Sequence, residues 1–411
     1  MAALSAAQAG ARVSVLESTD RPGTKILMSG GTRCNVTHDF VEAADYHGGS
    51  RNVVARLLRE FSHEDAARFF REDLGVALKR EDTGKLFPET DDAQTVLDAL
   101  LGRARESGVA MLIGRKVESI VRDEAGRFAI ATTAGPIEAD RVILATGGLS
   151  FPRTGSDGSG YALARAFGHT IVPTTPALTP LVARSGGMHE RLRGVTLPVE
   201  LTVRIGGKRA WRGAGSFLFT HFGYSGPVVL DASRHVARAG LDAGGAAGAA
   251  PAVVVASFLP GESEDSVDRA LLDVSENGSR RTVLGWLRER LPERLARELL
   301  AAAGVGAETT LARLTREDRR AVARAAAAHV LPVLEVMGYK KAEVTAGGVA
   351  LEEVDPRTLE SRLTPGLYFV GEILDVDGRL GGYNFQWAWS TGWVAGRSAA
   401  RSTSAEPPEA P

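Results

Sequence analysis

The chain has 411 residues, 44% hydrophobic and 24% charged, proportions of a soluble globular protein large enough for two or three domains. Lys and Arg total 49 against 50 Asp and Glu, so no global field draws nucleic acid or an anionic membrane; affinity for either requires a local patch. The single cysteine, Cys34, excludes an intrachain disulfide and a cysteine-based cluster, and no metal site is expected.

Residues 2–9 are rich in Ala and Ser and read as a helix packed tightly on a sheet, ended by Gly10 as a residue that tolerates positive φ. A strand over 13–16 follows and runs into the acid Glu17. This is the second half of a dinucleotide-binding βαβ unit, in which an acid at the end of the second strand grips a ribose. The first strand and its G-x-G-x-x-G turn belong just before Met1. Their absence makes Met1 read as an internal methionine. A form beginning there is expected to fold marginally and to hold its dinucleotide poorly, because a central strand and the phosphate-cradling N–H groups are missing.

Residues 52–72 and 95–106 place apolar side chains at helical spacing. Residues 117–121 and Phe128–Thr132 read as strands of a meander, followed by a buried strand over 141–145. The mixture predicts a doubly wound α/β domain of Rossmann type. After Pro173 and Pro176 the texture changes. Residues 181–261 read as a β-rich insert containing LPVELTVRI, with the stretch AGGAAGAA as a flexible loop. Residues 262–337 read as helical, their interleaved Arg and Glu forming a solvated surface. Strand patterns return at 342–351 and 366–370 before a last helix over 383–399, and residues 400–411 read as a disordered tail. The expected architecture is one α/β domain in two parts, 1–180 and 338–399, interrupted by the insert. The longest apolar runs, such as 252–259, are too short to span a membrane. The N-terminus lacks a cationic segment followed by a hydrophobic run, so a cytoplasmic protein is expected.

Residues 365–396 carry the most chemistry. The strand runs into Gly371, where a missing Cβ lets a ligand approach the backbone. Glu372, Asp375 and Asp377 follow, and one carboxylate at such a strand end can accept hydrogen bonds from ribitol or ribose hydroxyls. Gly381 and Gly382 then lead into a helix whose N-terminus, with Asn384 and Gln386 in its first turn, points free N–H groups at a ligand. The alternatives are a calcium loop, which lacks its downstream ligands, and a plain solvated turn. Nearer the N-terminus, Gly30 and Gly31 can bend the backbone against a cofactor, and Arg33 can hold a phosphate or a flavin carbonyl; an ordinary turn with a surface arginine is the alternative. Asn35 and Thr37 can equally cap local backbone. Thr146, Gly147 and Gly148 end the buried strand in a tight turn. Gly155, Gly158 and Gly160 have the wrong spacing for a second dinucleotide loop. Ser225 can cap a helix with Pro227 in its first turn. His221 is a candidate proton donor, or a satisfied histidine. Cys34 reads as a small buried hydrophobe more readily than as a redox thiol.

Five ordered stretches together resemble the BaiN-like, aminoacetone-oxidase-like family of FAD-dependent flavoproteins: KILMSGGTRCNVT (25–37), ATGGLSFPRTGSDGSGY (145–161), FTHFGYSGP (219–227), VTAGGVALEEVD (344–355) and residues 365–396. The resemblance covers nearly the whole chain. It departs at Thr24, where arginine is usual, at Thr32, where glycine is usual, and at the missing first strand. It implies a glutathione-reductase-type FAD domain with a β-barrel-like and helical insert. It also implies FAD contact by Gly30, Gly31, Arg33 and Asn35, with Lys25 as a candidate for phosphate. The A-T-G turn at Thr146–Gly147–Gly148 would lie near the pyrophosphate, and Val117 would meet the adenine through its backbone. The expected activity is hydride transfer between flavin and a small organic substrate, with NAD(P)H as a possible transient reductant and neither nucleic acid nor membrane as a partner. A flavin-bound or flavin-free binding protein without turnover and an inactive truncated product are the alternatives.

Overall fold

The computed structural model describes residues 1–245, 251–276 and 280–401. The chain divides into two compact units: a first unit of Met1–Thr174 with Glu343–Pro411, and an inserted unit of Thr175–Ala342.

The first unit is α/β, but its strands form several short ladders. Ser14–Glu17 runs parallel to Ala110–Ile113, and Val142–Leu144 parallel to Leu367–Phe369. Among the described residues no strand joins these two parallel pairs. The meander is present as Val117–Arg122, Phe128–Thr132 and Ile137–Ala139, whose alternating burial marks one face as core. The small-residue helix Ala2–Gln8 has a different partner from the sheet that its composition suggests. It packs on the last helix, Tyr383–Arg401: a Cβ on Gly396 would lie 2.1 Å from Ser5 Oγ and 2.2 Å from the Ala2 carbonyl. Ser5 Oγ also donates to the Trp393 carbonyl (2.9 Å). Small residues on both helices bring the two backbones together.

The expected helix over 52–72 is broken. It forms as Arg51–Glu60, His63–Arg68 and a wider turn at Phe69–Asp73. Phe61 is extended and Ser62 starts a new helix with a capping box. Ser62 Oγ accepts the Asp65 N–H (3.2 Å), while the Asp65 carboxylate accepts the Ser62 N–H (3.0 Å). The apolar period runs through the break, which is why periodicity alone misses it.

The inserted unit is built on one seven-stranded sheet. In order across the sheet the strands are His329–Leu331, Ala252–Ser257, Thr196–Ile205, Lys208–Thr220, Gly223–Ser225, Leu181–Ala183 and Val333–Val336. The two edge strands are neighbours in sequence, separated only by Pro332, so the sheet curls until its edges meet. Proline, with no N–H to give to a ladder, marks the corner. Leu197, Val199, Leu201, Val203, Phe217, Phe219 and Tyr224 fill the inner side with Val228, Val229 and Ala232 of a 19-residue helix, Pro227–Gly245. That helix lies inside the stretch expected to be β-rich. Ser225 does not cap it but closes the strand before it, and Gly226 makes the junction at φ +97°. Of the expected AGGAAGAA loop, the first three residues end this helix and the rest lie outside the described residues, as do residues 402–411 of the expected tail. Four helices follow: Glu264–Glu276, Val283–Arg288, Glu293–Ala303 and Arg316–Ala327. No described helix is long and apolar enough to cross a membrane.

Candidate active site

Four of the five motif stretches meet in the first unit through one hydrogen-bond network. Lys25 Nζ donates to Ser150 Oγ (2.5 Å) and pairs with Glu372 Oε2 (2.5 Å). Ser150 Oγ donates to Glu372 Oε1 (2.6 Å), which also accepts the Thr345 N–H (3.0 Å). Thr345 Oγ1 in turn accepts the Leu149 N–H (2.8 Å). Ser150 and Thr345 are fully buried, and the ion pair itself is largely shielded. The sequence singles out neither Ser150 nor Thr345. The signal available was a hydroxyl beside the glycine turns at 147–148 and 347–348. The turn that sets Glu372 is clamped by the last helix: the Gly371 N–H donates to Thr391 Oγ1 (3.0 Å) and its carbonyl accepts from Trp387 Nε1 (3.1 Å). At Gly371 it is the backbone, φ +72°, that requires glycine; a Cβ there would make only an ordinary 3.6 Å contact with Ala388.

The loop after Lys25 turns sharply, with Gly30, Gly31 and Thr32 all left-handed (φ 56°, 68° and 71°). Beyond the Cα of Gly31 there is open space, and Asn35 Oδ1 is buried with no hydrogen-bond donor. A buried acceptor without a donor costs about 1–3 kcal/mol unless a ligand or water supplies one. Arg33 turns elsewhere: its guanidinium bonds Glu81 (2.7 Å), approaches Asp91 (3.5 Å) and lies 4.0 Å from the Phe87 ring centre. The hydrogen bond it donates to Glu81, more than any other influence, raises its pKa. Arg33 thus ties its loop to Glu81 and Asp91 at the surface. Burial pushes the Cys34 thiol up to about 12, so it stays protonated and unreactive.

A second cluster gathers around Glu17. Its Oε1 accepts the Thr19 N–H (2.7 Å) and hydroxyl (2.9 Å), and its carbonyl accepts the Arg115 N–H (2.8 Å). That places residues 115–117 beside the strand end, although Val117 itself sits in the meander ladder opposite Thr132. Lys116 Nζ reaches Asp157 (2.9 Å), in the loop whose Gly155 faces Glu17. Burial raises the Asp157 carboxyl, but hydrogen bonds from Ser159 and Lys116 outweigh it and hold the group at about 2. The turn Thr146–Gly148 packs on protein: a Cβ on Gly147 would come within 2.6 Å of Ser156 Oγ, and one on Gly148 within 2.5 Å of Thr345 Oγ1.

The last motif differs most from expectation. A Cβ on Gly382 would lie 2.7–2.9 Å from the Thr37 backbone, and Gly381 is surrounded by Tyr383, His38 and Lys85. Asn384 brackets one residue, accepting the Gly378 N–H (2.8 Å) and donating to the Gly378 carbonyl (2.9 Å). Gln386 is fully buried; its Oε1 accepts from Thr37 Oγ1 (2.7 Å) and its Nε2 donates to the Phe61 carbonyl (3.1 Å) and Ser390 Oγ (3.0 Å). Asp375 is held through its main chain, to Val349 and Gly49. Gly381, Gly382, Asn384 and Gln386 thus tie the helix start to Thr37, Phe61 and Gly378, leaving no free amide side chain there for a ligand. His221 lies in the inserted unit, exposed on the turn between Lys208–Thr220 and Gly223–Ser225. Among the described residues no cluster of three or more His, Cys, Asp or Glu could hold a metal.

Residues 1–398 match the model of the HI0933-like protein Rossmann domain. The chain belongs to this family. It is an oxidoreductase, and the resemblance to BaiN-like FAD-dependent flavoproteins read from its motifs holds. It is similar to a 3-dehydro-bile acid delta(4,6)-reductase from Clostridium scindens, 35% identical over 97% of this chain and 96% of that protein. It is also similar to a ribosomal RNA dihydrouridine synthase from Escherichia coli K12, 33% identical over 97% and 95% of the two chains. Among solved structures, the 3-ketosteroid delta1-dehydrogenase from Sterolibacterium denitrificans aligns with 98% of this chain and 97% of its own at 13% identity, with a TM-score of 0.48.

Proposed function

We propose that this chain uses FAD to reduce a carbon–carbon double bond conjugated to a carbonyl, with NADH or NADPH as electron source and the cytoplasm as its location. One observation carries the reading. The bile-acid and ribosomal RNA relatives match nearly the whole chain at almost equal identity, 35% and 33%, and their names share a type of bond and not a substrate. A 3-oxo steroid diene and a uracil ring each hold a double bond conjugated to a carbonyl, and each double bond reduced takes up two hydrogens.

The residues of the first unit fit FAD. The donorless Asn35 Oδ1 and the open side of Gly31 share one loop, suited to a flat ring that brings its own N–H. In this reading Gly30, Gly31 and Asn35 hold the flavin ring, and Glu372 with Gly371 the ribityl chain. Lys25 and the turn Thr146, Gly147, Gly148 hold the pyrophosphate; Glu17 and Val117 hold the adenosine. Bound FAD supplies the hydride. The Lys25–Ser150–Glu372 network keeps three loops at fixed separation, which orients what they bind. The hydride adds to the β-carbon, a proton to the α-carbon, and negative charge passes through the carbonyl oxygen. Solvent water can supply that proton.

For the substrate itself, one feature favours a uracil ring carried on RNA. The near-zero net charge is a cancellation: the inserted unit has 23 Lys and Arg against 17 Asp and Glu, a net +6, and the first unit has 26 against 33, a net −7. The test uses the full chain. Its FAD is identified after denaturation, then reduced anaerobically with NADH or NADPH. Reoxidation is followed with a cyclic enone, with the corresponding saturated ketone and with uridine-containing RNA. Reoxidation by the enone or the RNA but not by the saturated ketone is expected. Flavin that only oxygen reoxidises would overturn the reading.

A further inference from the structure

Part of the inserted unit's positive charge lies on one side of its longest hairpin. Along Thr196–Ile205 the odd residues Leu197, Val199, Leu201 and Val203 are buried, so the even residues Glu200, Thr202 and Arg204 face outward. On the partner strand Arg212 stands opposite Thr202 and pairs with Glu200 (2.8 Å). Regular alternation would put Arg209 on the same side as Trp211, which is partly buried against the core. The register instead shifts between Val203 and Arg204, so that Ala210 has no partner and Arg209 falls directly opposite Arg204. A β-bulge of this kind re-aims a side chain.

Two arginines directly opposite on one sheet face, with Cβ atoms about 5 Å apart, repel each other. Arg204, Lys208 and Arg209 are all exposed, and among the described residues none has an acidic partner. The tip is tight: Gly206 and Gly207 are both left-handed (φ 57° and 76°), the two-residue turn that holds a hairpin rigid. Beside these arginines the same face continues onto the neighbouring strands with Val253, which is exposed and opposite Arg204, and exposed Val330. The result is a basic face with an apolar margin, whose exposed like-charge pair is further relieved when an anion sits between the two guanidiniums. A single phosphate accepts from two such forks, and successive phosphates of a strand extend the match along the hairpin.

We propose that this bulged face, with Arg204, Arg209 and Arg212, grips the phosphate backbone of an RNA substrate. The proposal rests on the reading of the enzyme as one that reduces a uracil ring in RNA.

The test measures binding of a labelled, uridine-containing RNA hairpin to the full chain by fluorescence anisotropy between 50 and 200 mM salt. Arg204→Glu/Arg209→Glu is compared with Arg316→Glu/Arg320→Glu, which makes the same charge change on an exposed helix. The first pair should weaken binding at least about tenfold and flatten the dependence of log affinity on log salt by about 1.4, the loss of two phosphate contacts on single-stranded loops. The second pair should leave the slope within error. Arg204→Gln alone should give an intermediate loss. FAD content and reduction of a cyclic enone should be unchanged in every variant, which separates this proposal from the chemistry of the first unit. Equal losses from both double variants, tighter binding of anionic lipid vesicles than of RNA, or no RNA binding by the wild type at 50 mM salt would each overturn it.

Discussion

The two units solve the same folding problem in opposite ways. Among the described residues the inserted unit folds around one continuous sheet and carries only 8 of the 29 left-handed glycines; the first unit carries 21 and breaks its strands into ladders of two or three. A long ladder satisfies its backbone by repetition. A set of short ladders must satisfy it turn by turn, with side chains such as Asn384, Gln386, Thr345 and Glu372 supplying the missing partners. The inserted unit should therefore tolerate substitution on its outer face. The first unit should respond sharply wherever a turn residue or its hydrogen-bonding partner changes. The units differ in sign as well, acidic against basic, and the near-neutral whole conceals this.

The largest effect that would sharpen the contrast is Gly382→Val. Its Cβ must enter the Thr37 backbone at a residue with φ +95°, so a loss of about 3–5 kcal/mol is expected from overpacking and left-handed strain together. Urea unfolding followed by tryptophan fluorescence measures it. An unchanged midpoint would show that the helix start is looser than the contact with Thr37 implies.

Next is Gln386→Ala, which leaves the Thr37 hydroxyl and the Phe61 carbonyl without this partner in the core. About 2–4 kcal/mol should be lost, whether or not FAD is present. If the loss appeared only in the FAD-loaded protein, Gln386 would belong to the cofactor after all.

The two units also share a pH-sensitive feature. Burial, more than any other influence, lowers the pKa of His169 in the first unit and of His189 and His329 in the inserted unit below the ordinary 6.5. In the folded protein His169 is held between Glu353 (3.1 Å) and Ser361 Oγ (2.7 Å). The unfolded chain takes up protons near pH 6.5 while the folded one resists until lower pH. Stability is therefore full above about 6.5 and falls as pH drops toward each folded pKa, by up to about 1.4 kcal/mol per pH unit per histidine. His169→Gln should flatten this slope by one histidine's share. Thermal melts between pH 5 and 8 decide it, and a slope unchanged by the substitution would remove His169 from the account.

The smallest change should be a gain. Thr32 is left-handed (φ 71°) at a position where the family resemblance expects glycine, so Thr32→Gly should stabilise the first unit by about 1 kcal/mol. A loss would mean that the threonine hydroxyl, which donates to the Gly31 carbonyl (2.6 Å), outweighs the strain.

Much of the fold was legible without coordinates. Hydrophobic alternation located Phe128–Thr132, the long strand Thr196–Ile205 and the helices beyond residue 262, because burial on one face leaves its period in the residues themselves. Glycine turns marked the cofactor-family stretches for the same local reason. The break at Phe61 and Ser62 was not legible, since a capping box hides inside an apolar period; the helix starting at Pro227 was legible at its first turn but not in its length, since its Ala/Gly-rich end mimics a loop.

What the sequence determined by itself was the class of fold, its interruption by an insert, and the stretches where a cofactor family shows. Only the tertiary structure decided which groups in those stretches are already engaged. Arg33, Asn384 and Gln386 are polar in sequence and look available, yet Glu81, Gly378 and Thr37 occupy them; Asn35 looks like a local cap, yet its oxygen has no donor. Ala210 is an ordinary strand residue until a one-residue slip against Arg204 turns Arg209 outward. The physical reason is common to all of these. Hydrophobic burial is summed residue by residue and leaves a local pattern, whereas a hydrogen bond or a strand register joins two places far apart in the chain, and neither place alone records which partner it has.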